Sequence, residues 1–542
     1  MSSLLILLGA IVAFLIAYAT YGAWIAKTWG ADNTRVTPAH EQNDGVDYVP
    51  TNSAVLLGHH FASIAGAGPI NGPIQAAIFG WVPVLLWIVI GSIFFGGIHD
   101  YGSLLVSIRN KGKSIGVVIK DTMGRRGQQL FAVFAWLTLL LVVAAFTNIV
   151  ASTFASTPAA ATSSLLFVIL AIGFGYAVYR KGVSLKIGTV VGVILLFLSV
   201  MAGPMFPIQL SVNTWIAILA VYIYIASTAP VWILLQPRDY LNSFLLYAMI
   251  AGALLGLLVY RPAVQLEAIT GFHVNGQYLF PMLFVTVACG AISGFHSLVG
   301  SGTTSKQIDK ENDAKLIGYG GMLIEGVLAV VALLSAAYLS KGELNELLAG
   351  GPVNVFSSGV GTFMSKIGIP FETGKTFVAL AVSAFALTSL DTATRLARFI
   401  FQEYFEDPTK EKQPIFTNMH VATIITVVIG SYLAIGGFAK IWPIFGSANQ
   451  LLAALALMAV ALWLKEQGRN FNMITLPMIF MLIVTLFALV FLTKANLASG
   501  NYFLVVFPVL LFVLAIVLAI QGYQILFKKD EPGKADGQPS SN

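Results

Sequence analysis

The sequence predicts an all-α, polytopic membrane protein with about fifteen transmembrane helices. Of its 542 residues, 57% are hydrophobic and only 10% are charged, and the mean hydropathy is +0.83. Soluble domains carry about 25% charged residues, so a soluble enzyme, a nucleic-acid-binding protein and a disordered scaffold are excluded. In a membrane protein, the net charge of +6 is explained by basic loops on the cytoplasmic side.

Fifteen stretches are apolar enough to be candidate spans of a bilayer, which takes roughly 20 residues. No basic segment precedes the first stretch, so we expect no cleaved signal peptide. The single cysteine, Cys289, excludes an intramolecular disulfide framework. The predicted spans are 3–26, 54–74, 79–108, 129–152, 163–179, 187–205, 213–235, 241–260, 276–303, 315–340, 375–398, 415–436, 443–464, 473–494 and 502–527.

Positive charge alternates between the loops and predicts the topology. Six Lys and Arg residues lie in 109–126, whereas the next loop, near Pro158, has none. Because basic loops stay on the cytoplasmic side, we expect a cytoplasmic C-terminus and, with fifteen spans, an extracytoplasmic N-terminus. The polar tail 528–542 is expected to be disordered.

Two glycine-rich segments resemble each other and predict an internal duplication. The predicted topology gives these segments opposite directions, as expected of an inverted repeat. Chance similarity between glycine-rich membrane helices is the alternative. At a constant offset of 236 residues, the identities are Gly58, His60 and Gly66 with Gly294, His296 and Gly302.

Both segments are expected to break the helix of their span. A broken backbone in a bilayer is tolerated only where it lines a cavity or is buried in protein. There, unwound carbonyls bind cations and half-helix amide ends bind carboxylates. Close helix packing at the glycines is the alternative. The candidate substrate or coupling residues are His59, His60, Ser63, Gly66, Ala67, Gly68, His296, Gly300, Ser301, Gly302 and Thr303.

Ionisable side chains inside spans are costly and are usually functional. Because histidine titrates near neutral pH, each histidine here is either a proton carrier or a neutral side chain bonded to a carbonyl. Glu325, in the matching span of the second half, is a weaker candidate. No His-x-x-x-His spacing supports a metal ion, so no metal site is predicted. The candidates for proton or cation coupling are His99, Asp100, Thr388, Ser389, Asp391 and Thr392.

Several other polar residues have two interpretations each. Asp391 either couples ions or is neutralised by Arg395, which lies one helical turn away. Arg238 either attracts a carboxylate substrate or anchors a cytoplasmic helix end. Asn449 and Gln450 either line a vestibule or satisfy the end of a helix.

Long motifs in the chain resemble a known family. They are Asn43-Asp-Gly-Val-Asp-Tyr-Val-Pro50, Gly58-His-His-Phe-Ala-Ser-Ile-Ala-Gly-Ala-Gly-Pro69, Gln236-Pro-Arg-Asp-Tyr240, Leu390-Asp-Thr-Ala-Thr-Arg-Leu-Ala-Arg398 and Gly446-Ser-Ala-Asn-Gln-Leu-Leu-Ala-Ala454. Together they resemble the carbon starvation protein A family of bacterial inner-membrane transporters, over residues 20–465 approximately.

The resemblance implies a transporter rather than an enzyme, with no cofactor. Members of the family are linked to uptake of pyruvate with protons and to uptake of peptides during carbon limitation. Proton symport of a small organic anion such as pyruvate is therefore the first hypothesis. Peptide transport, sodium coupling, and a channel or nutrient receptor are the alternatives, and the oligomeric state is left open. The expected partners are the substrate and the lipid bilayer of the inner membrane, with no nucleic acid.

The resemblance also implies a LeuT-like core, as in the amino acid–polyamine–organocation transporters. Such a core has two inverted five-helix repeats, each with a discontinuous first helix, whereas the span count alone allows seven helices per repeat. The expected units are 1–53 (first helix and polar loop), 54–205 (first repeat), 206–260 (two additional helices), 276–464 (second repeat), 465–527 (two C-terminal helices) and 528–542 (tail).

Overall fold

The computed structural model describes residues 2–45, 47–230, 233–406 and 414–527. Most of this part of the chain is helical, and one large hydrophobic core runs through the helix bundle. The tail 528–542, which was expected to be disordered, lies outside the described residues.

Helices coincide with all fifteen predicted spans in the described part of the chain. Eleven helical segments are long and apolar enough to cross a membrane, as in a multi-pass membrane protein: Ser3–Trp29, Trp81–Arg109, Ile115–Ser156, Pro158–Val178, Leu185–Met205, Pro237–Tyr260, Lys315–Ala337, Phe371–Phe405, Lys440–Glu466, Asn472–Ala498 and Tyr502–Phe527. The other four predicted spans correspond to shorter or broken helices: Ser53–Ala65 with Gly68–Ala76, Val212–Thr228, Leu279–Thr286 with Phe295–Gly302, and Met419–Ile435.

Burial separates the helices into a centre and a periphery. In Lys440–Glu466, 100% of the apolar window is buried inside the protein, against 22% in Leu185–Met205. Peripheral helices expose large apolar side chains such as Ile187 and Leu198. A helix that is apolar on all faces fits a lipid environment, so the periphery is the lipid-facing surface.

One end of the bundle carries many of the basic loop residues and is called the basic end. It is formed by residues 30–45, 47–52, 109–114 and 303–314. There, the Thr51 N–H donates to the Gln307 carbonyl at 3.0 Å. Arg109 donates to the two carboxylate oxygens of Glu311 at 2.6 and 2.7 Å. The first contact ties the chain before the second predicted span to the chain after the ninth, and the second ties the end of the third predicted span to the same segment.

Residues 261–280 cover the opposite end of the bundle. The Ser3 N–H donates to the Pro262 carbonyl at 3.0 Å, and the Gln265 N–H donates to the Ala337 carbonyl at 2.8 Å. The first helix therefore starts here and runs toward the basic end. The covering segment contains a two-stranded antiparallel hairpin, His273–Val274 with Gln277–Tyr278.

Two helices that the sequence did not predict, Lys341–Leu348 and Pro352–Ser365, lie between predicted spans. The second is mostly buried and packs against Gly68–Ala76. Its short glycine- and serine-rich sequence is typical of a loop, which explains the miss. The first is capped by Ser340, whose hydroxyl and backbone N–H donate to Glu343 and lower the pKa of that carboxyl.

Candidate functional site

The first broken span is interrupted at Gly66 and Ala67, within the glycine-rich segment that predicted a break. Helix Ser53–Ala65 ends at Gly66, and helix Gly68–Ala76 begins after a two-residue break. Gly66 has φ 37° and ψ −154°, a conformation that only glycine adopts without strain. The break therefore depends on Gly66 itself.

The second broken span has a longer interruption. Helix Leu279–Thr286 is followed by an unwound stretch, 287–294, which holds a single turn at Ala288–Gly290. Helix Phe295–Gly302 then completes the span. The Cys289 side chain lies in the unwound stretch.

The break predicted for the segment Gly294–Thr303 lies mostly before it: the unwound stretch ends at Gly294, and the segment is helical from Phe295 to Gly302. Gly300, Ser301 and Gly302 are helical, and Thr303 follows the last turn. The offset of 236 residues pairs Gly66 with the end of this helix, so it does not align the two breaks. A glycine inside a helix costs only about 1 kcal/mol, whereas an unwound backbone needs partners for its freed polar groups. The stretch 287–294, upstream of these glycines, is where the structure supplies such partners.

Helix Phe438–Glu466 supplies the partners. The Asn449 side-chain oxygen accepts the Phe295 N–H at 2.9 Å, and the Asn449 carbonyl accepts the Gly294 N–H at 3.0 Å. The Gln450 amide donates to the Phe284 carbonyl at 2.6 Å. Asn449 and Gln450 therefore bond the ends of the two half-helices, which is the second of the two interpretations given above.

The two broken spans touch each other at their breaks. A Cβ atom at Gly68 would lie 2.5 Å from Sγ of Cys289, and one at Gly72 would lie 2.6 Å from the Thr286 carbonyl oxygen. No other residue fits at these positions without displacing its neighbour. The glycines after the first break thus serve close packing as well as interruption of the helix.

Two buried polar side chains near the first break have no hydrogen-bond partner. Ser389 Oγ lies 2.7 Å from where a Cβ of Gly66 would be, and neither polar atom of the Asn71 amide is bonded. Each such group costs about 1–3 kcal/mol when it is left unsatisfied. Sequence analysis identified Ser389 but missed Asn71, whose signal is a lone amide in a glycine- and proline-rich half-helix.

Four buried side chains form a chain of contacts that we call the histidine network: His99, Asp100, His296 and Glu325. The carboxylate of Asp100 contacts Nδ1 of His99 at 2.7 Å and Nδ1 of His296 at 2.7 Å. Nε2 of His296 lies 3.3 Å from Glu325. All four side chains are at most 1% exposed. The network connects the second broken span to Trp81–Arg109 and to Lys315–Ala337.

His60 lies beside this network. Its Nδ1 contacts the Thr304 hydroxyl at 2.8 Å, its Nε2 is unpartnered, and the ring is buried. His59 is only half-buried, and its carbonyl accepts the Ser63 hydroxyl at 2.9 Å. Of the two adjacent histidines, His60 is therefore the one in the polar interior.

A second buried cluster, called the arginine network, joins three helices. Its members are Tyr222, Arg238, Asp239, Asn242, Thr388 and Asp391. Arg238 Nη1 donates to Asp391 and, at 2.6 Å, to the Tyr222 hydroxyl. Its Nη2 donates to Asp239 at 3.1 Å. Thr388 donates to Asp239 at 3.0 Å and accepts from Asn242 at 3.0 Å.

This cluster decides two of the alternatives. Arg238 is fully buried, so it is not an exposed anchor at a helix end. Asp391 is paired with Arg238 rather than neutralised by Arg395, whose guanidinium instead donates to the Ala226 and Ala229 carbonyls at 3.0 and 2.8 Å. The spacing of Asp391 and Arg395 along one helix does not reveal that Arg238, on another helix, is the closer partner of Asp391.

The remaining candidate residues have more local surroundings. The Ser301 hydroxyl accepts the Ile115 N–H at 3.1 Å, at the start of helix Ile115–Ser156. Thr303 and Thr392 are half-buried and form no side-chain hydrogen bond within the described ranges. Ala67 is buried in the first break. In the part of the chain that the structure describes, no group of three or more His, Cys, Asp or Glu residues is arranged to hold a metal ion.

The arrangement has three chemical capacities. The touching breaks bring backbone polar groups and Ser389 into the interior, where they suit a small polar ligand or a cation. The histidine network contains imidazole rings, which are able to carry a proton. The arginine network holds a permanent positive charge against two carboxylates.

Solved structures share this fold. Two variant forms of a manganese transporter from Eremococcus coleocola match with TM-scores of 0.51, at 13% and 12% identity, and each match covers 89% of this chain and 99% of that chain. At such identities the likeness concerns the fold alone.

Sequence relatives carry transporter names. The peptide transporter CstA of Campylobacter jejuni is 32% identical over 90% of this chain and 80% of its own length. The pyruvate/proton symporter BtsT of Escherichia coli is 31% identical over 90% of this chain and 81% of its own length. The model of the family "Carbon starvation protein CstA" matches residues 2–349 and 341–488. The chain therefore belongs to the carbon starvation protein CstA family.

Proposed function

We propose that this protein is a secondary transporter that takes up a small organic carboxylate, pyruvate, together with protons during carbon limitation. The observation that carries the proposal is the fully buried contact of one carboxylate, Asp100, with His99 and His296. Intramembrane groups of this kind are typical of proton pathways in transporters. A relative named as a pyruvate/proton symporter supports the same substrate and ion.

The fold proposed for this activity is the LeuT-like inverted repeat, with fifteen spans. The first broken span starts at the basic end, beside Thr51, whereas the second starts at the opposite end, beside the hairpin. Five helices follow from each start, over 53–205 and 279–466, apart from the pair Lys341–Leu348 and Pro352–Ser365. Opposite directions of two equivalent broken helices support inversion. With the basic end placed in the cytoplasm, the N-terminus is extracytoplasmic and the C-terminus cytoplasmic in the inner membrane.

The proposed coupling uses the position of His296. Its half-helix, Phe295–Gly302, belongs to the second broken span, while Asp100 and Glu325 belong to its neighbours. If the half-helix moves during alternating access, its histidine separates from one or both carboxylates. Proton affinity and conformation then depend on each other, and such coupling is reciprocal.

Uptake of labelled pyruvate into proteoliposomes tests the proposal. The wild-type protein should accumulate pyruvate when the outside is more acidic than the inside. The variants His60→Ala and His296→Ala should lose this accumulation while keeping the thermal unfolding of a folded protein. Equal accumulation by the wild type without a gradient would contradict proton coupling.

Peptide transport is the second candidate function, because several relatives are named as peptide transporters. Competition of pyruvate uptake by dipeptides and tripeptides separates the two. Strong inhibition by peptides favours the peptide substrate, and its absence favours the small acid.

Sodium coupling is a variant that one contact favours. The unpartnered Ser389 hydroxyl lies against Gly66, and hydroxyl and carbonyl oxygens are the ligands that hard cations prefer. Uptake that requires sodium at a fixed pH, and that is lost in Ser389→Ala, would replace the proton proposal.

A further inference from the structure

We propose that the arginine network binds the carboxylate group of the transported substrate, with Arg238 as the ligand. This inference rests on the proposed function and assigns the site that recognises the substrate class. A guanidinium pairs with a carboxylate through two parallel hydrogen bonds. The terminal nitrogens of the buried Arg238 now hold Asp391 and Asp239. A substrate carboxylate is chemically the same as the groups that it already holds.

Unpartnered atoms in the network point to a ligand. Nε of Arg238, Oδ1 of Asp391 and Oδ1 of Asn242 are buried and have no hydrogen-bond partner among the residues that the structure describes. Buried polar groups are nearly always bonded. By contrast, the ion pair at the basic end is closed, since Arg109 uses both Nε and Nη2 on Glu311. Three polar atoms of the arginine network thus lack a hydrogen bond, whereas the Arg109–Glu311 pair, which serves only the fold, uses both Nε and Nη2 of its arginine.

Release of Arg238 requires a proton on Asp391, because an unpaired buried carboxylate is costly. The empty network contains one positive and two negative charges. When one proton bonds to an oxygen of Asp391 and one carboxylate monoanion binds Arg238, the buried charge is unchanged. The O–H bond breaks again when the substrate leaves. The other charged or titratable groups that act on Asp391 are Asp239, Tyr222 and Arg395.

The two main helices of the network also touch the first broken span. Ser389, which is on the same helix as Asp391, lies against Gly66. Tyr247, on the helix of the network arginine, has its hydroxyl 2.7 Å from where a Cβ of Gly58 would be. Both helices that hold the arginine network therefore contact the first broken span, one at Gly58, before the break, and one at the break itself.

The site has a consequence for the charge that is moved. One proton on Asp391 accompanies each substrate molecule that binds Arg238. A second proton is carried by the histidine network. Uptake should therefore bring net positive charge inward and should increase when the inside of the proteoliposome is made negative with valinomycin and potassium. Uptake of pyruvate that does not respond to the potential would overturn the additional proton.

Paired variants test the ligand role of Arg238. We expect Arg238→Gln and the double variant R238Q/D391N to lose pyruvate uptake by about tenfold or more, as for loss of a charge-assisted bidentate contact. The double variant is decisive, because it removes the charge of Asp391 together with that of Arg238; Asp239 keeps its hydrogen bond from Thr388, and the total charge of the network does not change. If Arg238 only stabilised the fold, R238Q/D391N would regain uptake, and that result would overturn the inference.

A binding measurement separates ligand contact from folding. In the variant Asp391→Asn, Arg238 has lost one acidic partner but remains available, so added pyruvate should still raise the Tm of the purified protein. In R238Q/D391N, pyruvate should leave the Tm unchanged. An equal rise in the two variants would show that pyruvate binds without Arg238 and would contradict the site.

A peptide offers the same group at its C-terminus, so competitors identify the source of the carboxylate. Pyruvate, alanylalanine and the C-terminal amide of alanylalanine are tested against wild-type uptake. Inhibition by either acid but not by the amide supports the site, and the inhibiting acid names the source. Equal inhibition by the amide overturns it. If the wild type takes up neither pyruvate nor the dipeptide, the proposed function itself fails, whereas uptake that persists in R238Q/D391N rejects the carboxylate site alone.

Discussion

The histidine network and the arginine network are both buried clusters of ionisable groups, but the basic groups in them differ. In the histidine network, the partners of Asp100 are imidazoles, which exist in a neutral and a protonated form. In the arginine network, the partner of Asp391 is a guanidinium, which stays charged. In the histidine network the basic groups themselves can change charge. In the arginine network only the carboxylates can.

This difference separates two roles in the proposed transport cycle. A cluster of titratable groups on a broken span suits proton coupling, because movement of the span changes its contacts. A fixed cation held by two carboxylates suits recognition of an anion. Variants of the first cluster should therefore alter the dependence on the pH gradient, and variants of the second should alter the affinity for the substrate.

The largest effect is expected from Asp100→Asn. The amide cannot hold His99 and His296 as the carboxylate does, so uptake driven by a pH gradient should fall to background. Breaking a buried pair outright, as in Asp100→Ala, costs about 3–5 kcal/mol and should lower the thermal stability as well. The matched control is Asp309→Asn, which removes an exposed pair with His40 worth at most about 1 kcal/mol. Equal loss of uptake in Asp309→Asn would show that the effect of Asp100→Asn is not specific to the histidine network.

A smaller effect is expected from Glu325→Gln. The change removes one charged contact of His296, at 3.3 Å, while the contact with Asp100 remains. Loss of about 1.5 kcal/mol of charged interaction should lower gradient-driven uptake about tenfold. Exchange of pyruvate at equal pH should continue at the wild-type rate. A parallel fall in exchange would indicate that Glu325 acts on binding rather than on coupling.

Tyr222→Phe is expected to change affinity but not coupling. The Tyr222 hydroxyl accepts from Arg238 at 2.6 Å and donates to Asp391 at 3.0 Å. Loss of hydrogen bonding worth about 1 kcal/mol should change the KM for pyruvate about fivefold, with the pH profile of uptake unchanged. A shifted pH profile with the same KM would assign the arginine network to coupling instead.

The smallest effect on coupling is expected from Glu311→Gln. This change breaks the buried pair with Arg109 outside both networks, so it should destabilise the protein by about 3 kcal/mol. The number of protons taken up per pyruvate should stay at the wild-type value. A changed ratio would mean that the loss of any buried ion pair disturbs coupling, and the comparison of the two networks would lose its meaning.

Local sequence patterns predicted most of the helices and the first break. Apolar length places the helices, and the conformation of Gly66 is a property of glycine itself. The pair Lys341–Leu348 and Pro352–Ser365 was missed because short helices with few apolar residues read as loops. Local information was sufficient wherever the backbone conformation is decided within a few residues.

Contacts between distant residues account for the rest. The second break depends on Asn449, which lies 154 residues after its partner Phe295. Asp391 is bonded to an arginine 153 residues away, although another arginine lies one turn along its own helix. His296 and Asp100, each identified separately, are 196 residues apart. One sequence shows which groups are unusual in a membrane but not which of them meet.

The central claim is that His296 ties proton movement to substrate movement. Proton influx and pyruvate influx are measured together in proteoliposomes that contain a pH-sensitive dye, with the wild type and His296→Ala compared at equal rates of pyruvate exchange. The expected result is that pyruvate brings protons inward in the wild type, while the variant exchanges pyruvate with a lower ratio of protons to pyruvate. The same ratio in both proteins would contradict the claim.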